Sequence, residues 1–391
     1  MARISAFQLA ACPRKMRSIK LIISIILVLP IVNMVFYAIN DVIEGDTSVT
    51  WSQFQTRDVR KLIQPNKNTF KVAPKGTCDF RRKEAMLLIV VTSSMQNHKK
   101  RQVIRDTWGK DVLILKEEIR LIFLVGEQPD DMIANEKFMI EHEMFGDVLQ
   151  GSFIDSYTNL TIKSLSMLKW FSDNCGKHVR YLMKVDDDVY VNLFELYNLV
   201  QENTKINMLT GFIHCGVRPM THGKWYAPPY MLNGSIDGPT YPNYIAGPAY
   251  VMSNTTAEIL YRISMLVPAF HLEDVFVTGI LPQFYNKLLY KKDLNNTFLS
   301  LIFPNKETPI REMEIHPAGD GRFVINSRSV FTSLFLDPCL YINLISSELS
   351  DSQELSRIHK KITKLKEIAN FRTKMCSKHI AEKLKRMKSC H

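Results

Sequence analysis

The sequence predicts an open α/β sheet, mostly parallel and flanked by helices, behind an N-terminal membrane anchor. Three observations predict it. Short apolar runs rich in branched residues alternate with amphipathic stretches through residues 85–203, the order expected of a sheet built from strand–helix units. One run ends directly in Asp186, Asp187 and Asp188, and ligands of open α/β sheets bind beyond the carboxyl ends of the strands. A separate run of 19 residues, 21–39, carries no charge.

The anchor comes first in the chain. As a helix such a run spans ~28 Å, enough for the thinner bilayers of the secretory pathway. Arg14, Lys15, Arg17 and Lys20 precede it, while Asp41, Glu44 and Asp46 follow. That asymmetry puts residues 1–20 in the cytosol and the rest in a lumen or outside the cell. A cleaved signal peptide is the competing reading, but the leading segment is long and no A-x-A site follows. Sequons at Asn159, Asn233, Asn254 and Asn295 agree with that side of the membrane. So do the six cysteines after the anchor, Cys78, Cys175, Cys215, Cys339, Cys376 and Cys390; their spacing assigns no pairing. Residues 41–80 are polar, punctuated by Pro65, Pro74 and Gly76, and read as a stem.

Residues 81–345 form the body. Residues 85–92 (AMLLIVVT) read as a buried strand, 98–108 as a helix, and 120–125 (RLIFLV) as a second buried strand. Residues 131–145 are helical, with Ile133, Phe138 and Met139 as apolar positions, and 148–150 make a brief strand. Residues 159–172 place Leu160, Leu165, Leu168 and Phe171 on one helical face. Residues 181–185 are a third buried strand, and 193–203 a further helix. The net charge of +11 is concentrated at the two ends, five basic and no acidic groups in 1–20 and a net +8 in 351–391. The rest carries a net −2, so overall charge gives no support for a basic nucleic-acid groove.

The acidic strand end carries the first chemistry. Three adjacent carboxylates repel one another unless a cation or hydrogen-bond donors compensate. Carboxylate oxygens suit hard divalent ions, and residues one apart on an extended chain, Asp186 and Asp188, face the same way. An acidic turn without a ligand is the bland alternative. Glu273 and Asp274 open a predicted helix. Acidic residues suit a first turn, and they also suit a general base in a dry site. Between these points, residues 224–250 are aromatic and rich in Gly and Pro, with Lys224-Trp225-Tyr226 and Tyr241-Pro242-Asn243-Tyr244. Flat aromatic faces suit sugar rings as well as ordinary cores, and Gly247 permits close backbone approach.

Taken in order, these segments resemble the β-1,3-glycosyltransferases of family 31, galactosyl- and N-acetylglucosaminyltransferases among them. The resemblance runs over residues 81–281 and rests on Arg101-Gln102-Val103-Ile104-Arg105-Asp106-Thr107-Trp108-Gly109 and on residues 146–163. It continues through the triple Asp, Lys224-Trp225-Tyr226, the Tyr-Pro-x-Tyr-x-x-Gly segment and Glu273-Asp274-Val275. It implies a GT-A nucleotide-sugar-binding fold, a UDP-sugar donor, a Mn²⁺-type metal and inverting transfer to the 3-hydroxyl of an acceptor glycan on protein or lipid. It implies a single-pass type II protein of the Golgi membrane, with galactose the favoured sugar and N-acetylglucosamine the alternative. By the same carry-over Asp274 is the catalytic base. Asp188 and Asp186 hold the metal, and Asp186, Asp187, Arg105, Lys163, Trp225 and Gly247 attend the donor.

The chain also departs from that pattern. Family members carry a late-strand His that completes the metal site, and the counterpart here is Asn326, with His316 the other candidate. That departure motivates a second reading, a catalytically weak relative that binds glycans or partner transferases, and both homo- and hetero-oligomers are compatible with it. A phosphoryl-transfer enzyme is disfavoured, because no P-loop is present. The tail 350–391 has no counterpart in the family; Ile358, Ile362, Leu365 and Ala369 follow helical spacing among lysines, the pattern of a solvated amphipathic helix whose removal leaves the core folded.

Overall fold

A computed structural model describes residues 56–78, 85–113, 118–203, 206–232, 238–290, 313–317, 323–324, 346–348, 355–360 and 363–364. Residues 21–39, Asn233, Asn295, Asn326 and most of the tail lie outside this set. Among the described residues no helix is long and apolar enough to cross a membrane.

The strands are β1 (Phe70–Val72), β2 (Ala85–Thr92), β3 (Ile119–Glu127), β4 (Val148–Ile154), β5 (Val179–Asp186), β6 (Val189–Val191), β7 (Met208–His214), β8 (Tyr244–Ser253) and β9 (Glu314–Pro317). All but β6 form one sheet in the order β1-β4-β3-β2-β5-β8-β7-β9. Its left half is parallel through β4, β3, β2 and β5. β8 runs antiparallel to both β5 and β7 and β1 antiparallel to β4, so the sheet is mixed, with the parallel pairings in the majority. Alternate residues of β2 enter opposite cores: Leu88 and Val90 pack on one face, Leu87, Ile89 and Val91 on the other. Burial on both faces is why this strand reads as a continuous apolar run.

Helices cover both faces. They are α1 (Val59–Ile63), α2 (His98–Asp106), α3 (Met132–Phe145), α4 (Leu160–Asn174), α5 (Leu193–Glu202) and, after the four-residue helical turn Pro229–Leu232, α6 (Asn254–Ser264). Asp131 caps α3 by accepting from the Ala134 N–H, and Gly146, at φ 64°, closes it. Of the apolar positions expected on α3, Phe138 is buried, whereas Ile133 and Met139 face solvent.

Two expected boundaries move. Residues 56–78 fall in the span read as a stem, yet they are seated on the body: Val59 and Ile63 of α1 are buried, β1 pairs with β4, and Cys78 is bonded to Cys175. Polar composition hid this, because the contacts are made by a few apolar residues scattered among polar ones, by one disulfide and by main chain. At the other end, residues 355–360 are helical, and Leu355 and Ile358 enter the second core. The tail is therefore not wholly a solvated appendage.

Candidate active site

The carboxyl ends of β2 and β5 are register partners, Thr92 opposite Asp186. Parallel neighbours place both ends at one edge, and Thr92 Oγ1 donates to Asp186 Oδ1 at 2.6 Å. Lys184, two residues back and so on the same side of β5, donates to the same oxygen at 2.5 Å. Asp187 and Asp188 then form the tight turn into β6. Asp187 is buried and fully used by the fold. It accepts from Ser93 Oγ at 2.7 Å and Asn97 Nδ2 at 2.8 Å on Oδ2, and from Lys100 Nζ at 2.9 Å on Oδ1. Lys100 also reaches Asp188 at 3.4 Å. The mutual repulsion of the three carboxylates is thus relieved by two lysines and three neutral donors.

β8 supplies the opposite wall. Its ladder to β5 reaches only as far as Ala249, opposite Val185, and its ladder to β7 breaks between Ile245 and Tyr250. Pro248 has no N–H to give a ladder, so the strand bulges there. The bulge frees Gly247 for the site. Its N–H donates to Asp274 Oδ2 at 3.2 Å, and its carbonyl accepts from Lys184 Nζ at 2.6 Å.

Asp274 lies in the short helical turn Glu273–Val275, followed by a π-helical turn, Phe276–Ile280, and the helix Leu281–Tyr290. Thr278 pins this turn to β8: the Ile245 N–H donates to its hydroxyl at 2.8 Å, and that hydroxyl donates to Asp274 O at 2.6 Å. The Val275 N–H donates to Asp274 Oδ1 at 2.8 Å. Burial raises the Asp274 carboxyl above the ordinary aspartate value, against those two N–H bonds, Lys184 and His214. Glu273 is buried beside it, accepts from Tyr250 OH at 2.7 Å, and is likewise raised by burial.

A cavity of about 410 Å³ joins these pieces, lined by Asp186, Lys184, Gly247, Asp274 and an aromatic wall that includes Tyr157, Trp225, Tyr241 and Tyr244. Trp225 is 54% exposed and Tyr157 44%, and Lys224 Nζ stands over the Tyr157 ring at 4.5 Å. His214 and His271 also line it. Burial lowers both imidazoles, His271 to about 4, which keeps them neutral at physiological pH.

Of the expected site residues, the cavity brings together Asp186, Trp225, Gly247 and Asp274. Asp187 and Asp188 stand beside it without lining it. Arg105 is elsewhere, in a bidentate pair with Asp147 at 2.8 Å and against Glu141 at 2.7 Å, its guanidinium on Phe123 and Phe145. Lys163 is buried, donating to Asp155 at 2.6 Å and to Ser93 O at 2.8 Å; it braces the β2 end and lines no part of the cavity. His316 sits on β9 opposite Thr210. Among the described residues, no three His, Cys, Asp or Glu side chains gather into a metal-holding group. The sequons at Asn159 and Asn254 have their amides in use, donating to Ile154 O at 2.9 Å and Gly176 O at 3.0 Å.

Lys184 lines the cavity and is a side chain to which sequence reasoning assigns no role. The signal for Lys184 is its i−2 position from Asp186 on a strand, which forces both to one side.

A strand-end carboxylate, Asp186, and a desolvated carboxylate, Asp274, on one aromatic-lined cavity make this the candidate active site. The family profile described as Galactosyltransferase matches residues 99–286. Human beta-1,3-galactosyltransferase 1 is 32% identical over 233 residues, 58% of this chain and 68% of that protein. Zebrafish lactosylceramide 1,3-N-acetyl-beta-D-glucosaminyltransferase A is 33% identical over 220 residues, 51% of this chain and 56% of that protein. The protein is a glycosyltransferase, and the chain belongs to the galactosyltransferase family. A solved galactosyltransferase held with donor and acceptor sugar analogues aligns at TM-score 0.33 and 10% identity, over 71% of this chain and 96% of that one.

Proposed function

We propose that the protein is an inverting β-1,3-glycosyltransferase of GT-A type, a type II protein of the Golgi membrane. It moves a hexose, galactose by preference, from a UDP-sugar to the 3-hydroxyl of an acceptor glycan. The observation that carries the reading is Asp274: a carboxylate with a raised pKa, oriented by two backbone N–H groups, at a cavity whose other side is Asp186. Each Asp274 oxygen accepts one N–H bond and keeps a lone pair for a substrate proton. The acceptor 3-hydroxyl gives its proton to Asp274 as its oxygen bonds to the sugar C1, and the C1–O bond to the diphosphate breaks. Inversion by one displacement needs a base and a stabilised leaving group, and no enzyme nucleophile.

The hard oxygens of Asp186 and Asp188, each about a third exposed, fit a divalent cation such as Mn²⁺. When bound, such an ion would offset charge on the leaving diphosphate. Here Lys100 and Lys184 neutralise the same carboxylates, so part of the compensation belongs to the chain. Trp225, half exposed at the rim, offers a sugar-stacking face.

The test is UDP release by the full chain from a panel including UDP-galactose and UDP-N-acetylglucosamine, over mixed acceptors, with and without Mn²⁺. Acceptor-dependent release, lost in Asp274→Asn, supports the proposal. UDP-sugar or glycan binding without any turnover would leave the weak binding relative instead.

A further inference from the structure

We infer that Arg57, in the segment leading into the body, is a positioning residue for the reaction, holding the two walls of the cavity against each other. The inference rests on the reading of Asp274 as the base.

The first wall is the stretch that carries Lys224, Trp225 and Tyr226, and the second is the stretch leading through Ala269, Phe270 and His271 to Asp274. The Arg57 guanidinium reaches both. Its Nε donates to Ala269 O at 2.8 Å, its Nη2 to Met231 O at 3.1 Å and its Nη1 to Tyr230 O at 3.3 Å. The Ala269 N–H returns a bond to Arg57 O at 2.8 Å. Main chain and side chain of one residue therefore grip Ala269 from both sides. Three carbonyls from two segments match a planar fork of donors, which an ammonium cannot imitate.

The grip is itself anchored. Val59 and Ile63 of α1 are buried. Buried Lys169 donates to Gln64 O at 3.0 Å and Thr69 Oγ1 at 3.1 Å, holding the chain just after α1 on the body. The two walls are joined again nearer the site, where His271 Nε2 meets Tyr226 O at 2.7 Å; Thr161 Oγ1 of α4, donating to Phe270 O at 2.7 Å, ties the second wall to the body. The three carbonyls that Arg57 holds belong to residues outside the cavity lining, so its effect on chemistry passes through the wall backbones.

The experiment uses the detergent-solubilised full chain, with Arg57→Lys and Arg57→Met. Two readouts are taken: donor and acceptor kinetics, and amide exchange by mass spectrometry. A positioning role predicts faster exchange in residues 226–231 and 269–276 while β2, β3 and β5 stay protected. It also predicts kcat lower by about tenfold in Arg57→Lys with both KM values within about twofold, since small misplacements of a base are costly. Unchanged exchange in both segments, or a uniform rise over the whole sheet, overturns the inference. Where Arg57→Met does not fold, Arg57→Lys carries the comparison. A wild type that turns over no donor defeats the proposed function, and the exchange pattern still decides what Arg57 holds.

Discussion

Asp186 and Glu273 share one buried ammonium: Lys184 Nζ lies 2.5 Å from Asp186 Oδ1 and 3.9 Å from Glu273 Oε2. The strand end that carries Asp186 and the helical turn that carries Glu273 and Asp274 are thereby coupled through a single side chain. The coupling is charged, because Asp186 and Glu273 keep Lys184 cationic and raise its pKa against burial.

Replacing that ammonium should be severe. Lys184→Met leaves Asp186, Glu273 and Asp274 around an apolar stem, and Gly247 O loses its donor. Breaking a buried pair by removing one partner costs about 3–5 kcal/mol. Chemical denaturation should show a loss of that size, and residual activity of the folded fraction should fall by more than about a hundredfold. Wild-type kcat in folded Lys184→Met would show that the ammonium is only a structural tie.

Asp274→Asn keeps the shape of the turn and removes the base. The expected result is kcat lower by about 10²–10⁴-fold with donor KM little changed. The pH profile gives a second check. Burial raises the folded-state pKa of Asp274, and the base works only when deprotonated. Activity should therefore be lost as pH falls through that raised value, with the acid limb of kcat/KM above the ordinary aspartate range. A limb at or below that range would contradict the burial argument.

Trp225 tests the aromatic wall. At 54% exposed its indole contributes little to folding, so Trp225→Ala should leave the melting temperature unchanged. It should raise the KM of one substrate by about three- to tenfold. Which KM moves tells whether the platform serves donor or acceptor.

The legible parts of the sequence were those where period and burial agree. β2, β3 and β5 are buried on both faces, so an apolar run betrays each. α4 was legible from Leu165, Leu168 and Phe171, all buried. β8 was not. Gly247 and Pro248 break its strand signal, yet the same two residues cause the bulge that turns backbone toward Asp274. The reversed direction of β8 was missed for the same reason, although the parallel majority of the sheet was read correctly. Asp186 was legible as the end of β5 and Asp274 as one of two acidic residues that open a helical turn. The Cys78–Cys175 bond joins residues 97 apart, a juxtaposition that no local pattern encodes.

The two arginines of the R-x-x-I-R segment give the last prediction. Arg105 alone was expected at the donor, but the side chains of both are engaged in ion pairs of the scaffold. Arg101 is fully buried and bidentate to Glu141, at 2.8 Å and 2.6 Å, and its Nη1 donates to Ser93 Oγ at 3.1 Å. That serine in turn donates to Asp187, so the arginine supports the acidic turn at one remove. Arg105 shares Glu141 and adds Asp147. Arg105→Gln should lose about 1.5–3 kcal/mol, the worth of hydrogen bonds to charged groups. Arg101→Met should lose more, about 3–5 kcal/mol, because Glu141 would stay buried with a weaker partner. In folded Arg105→Gln the donor KM should match wild type. A donor KM raised tenfold at unchanged stability would return Arg105 to the binding site and overturn its assignment to the scaffold.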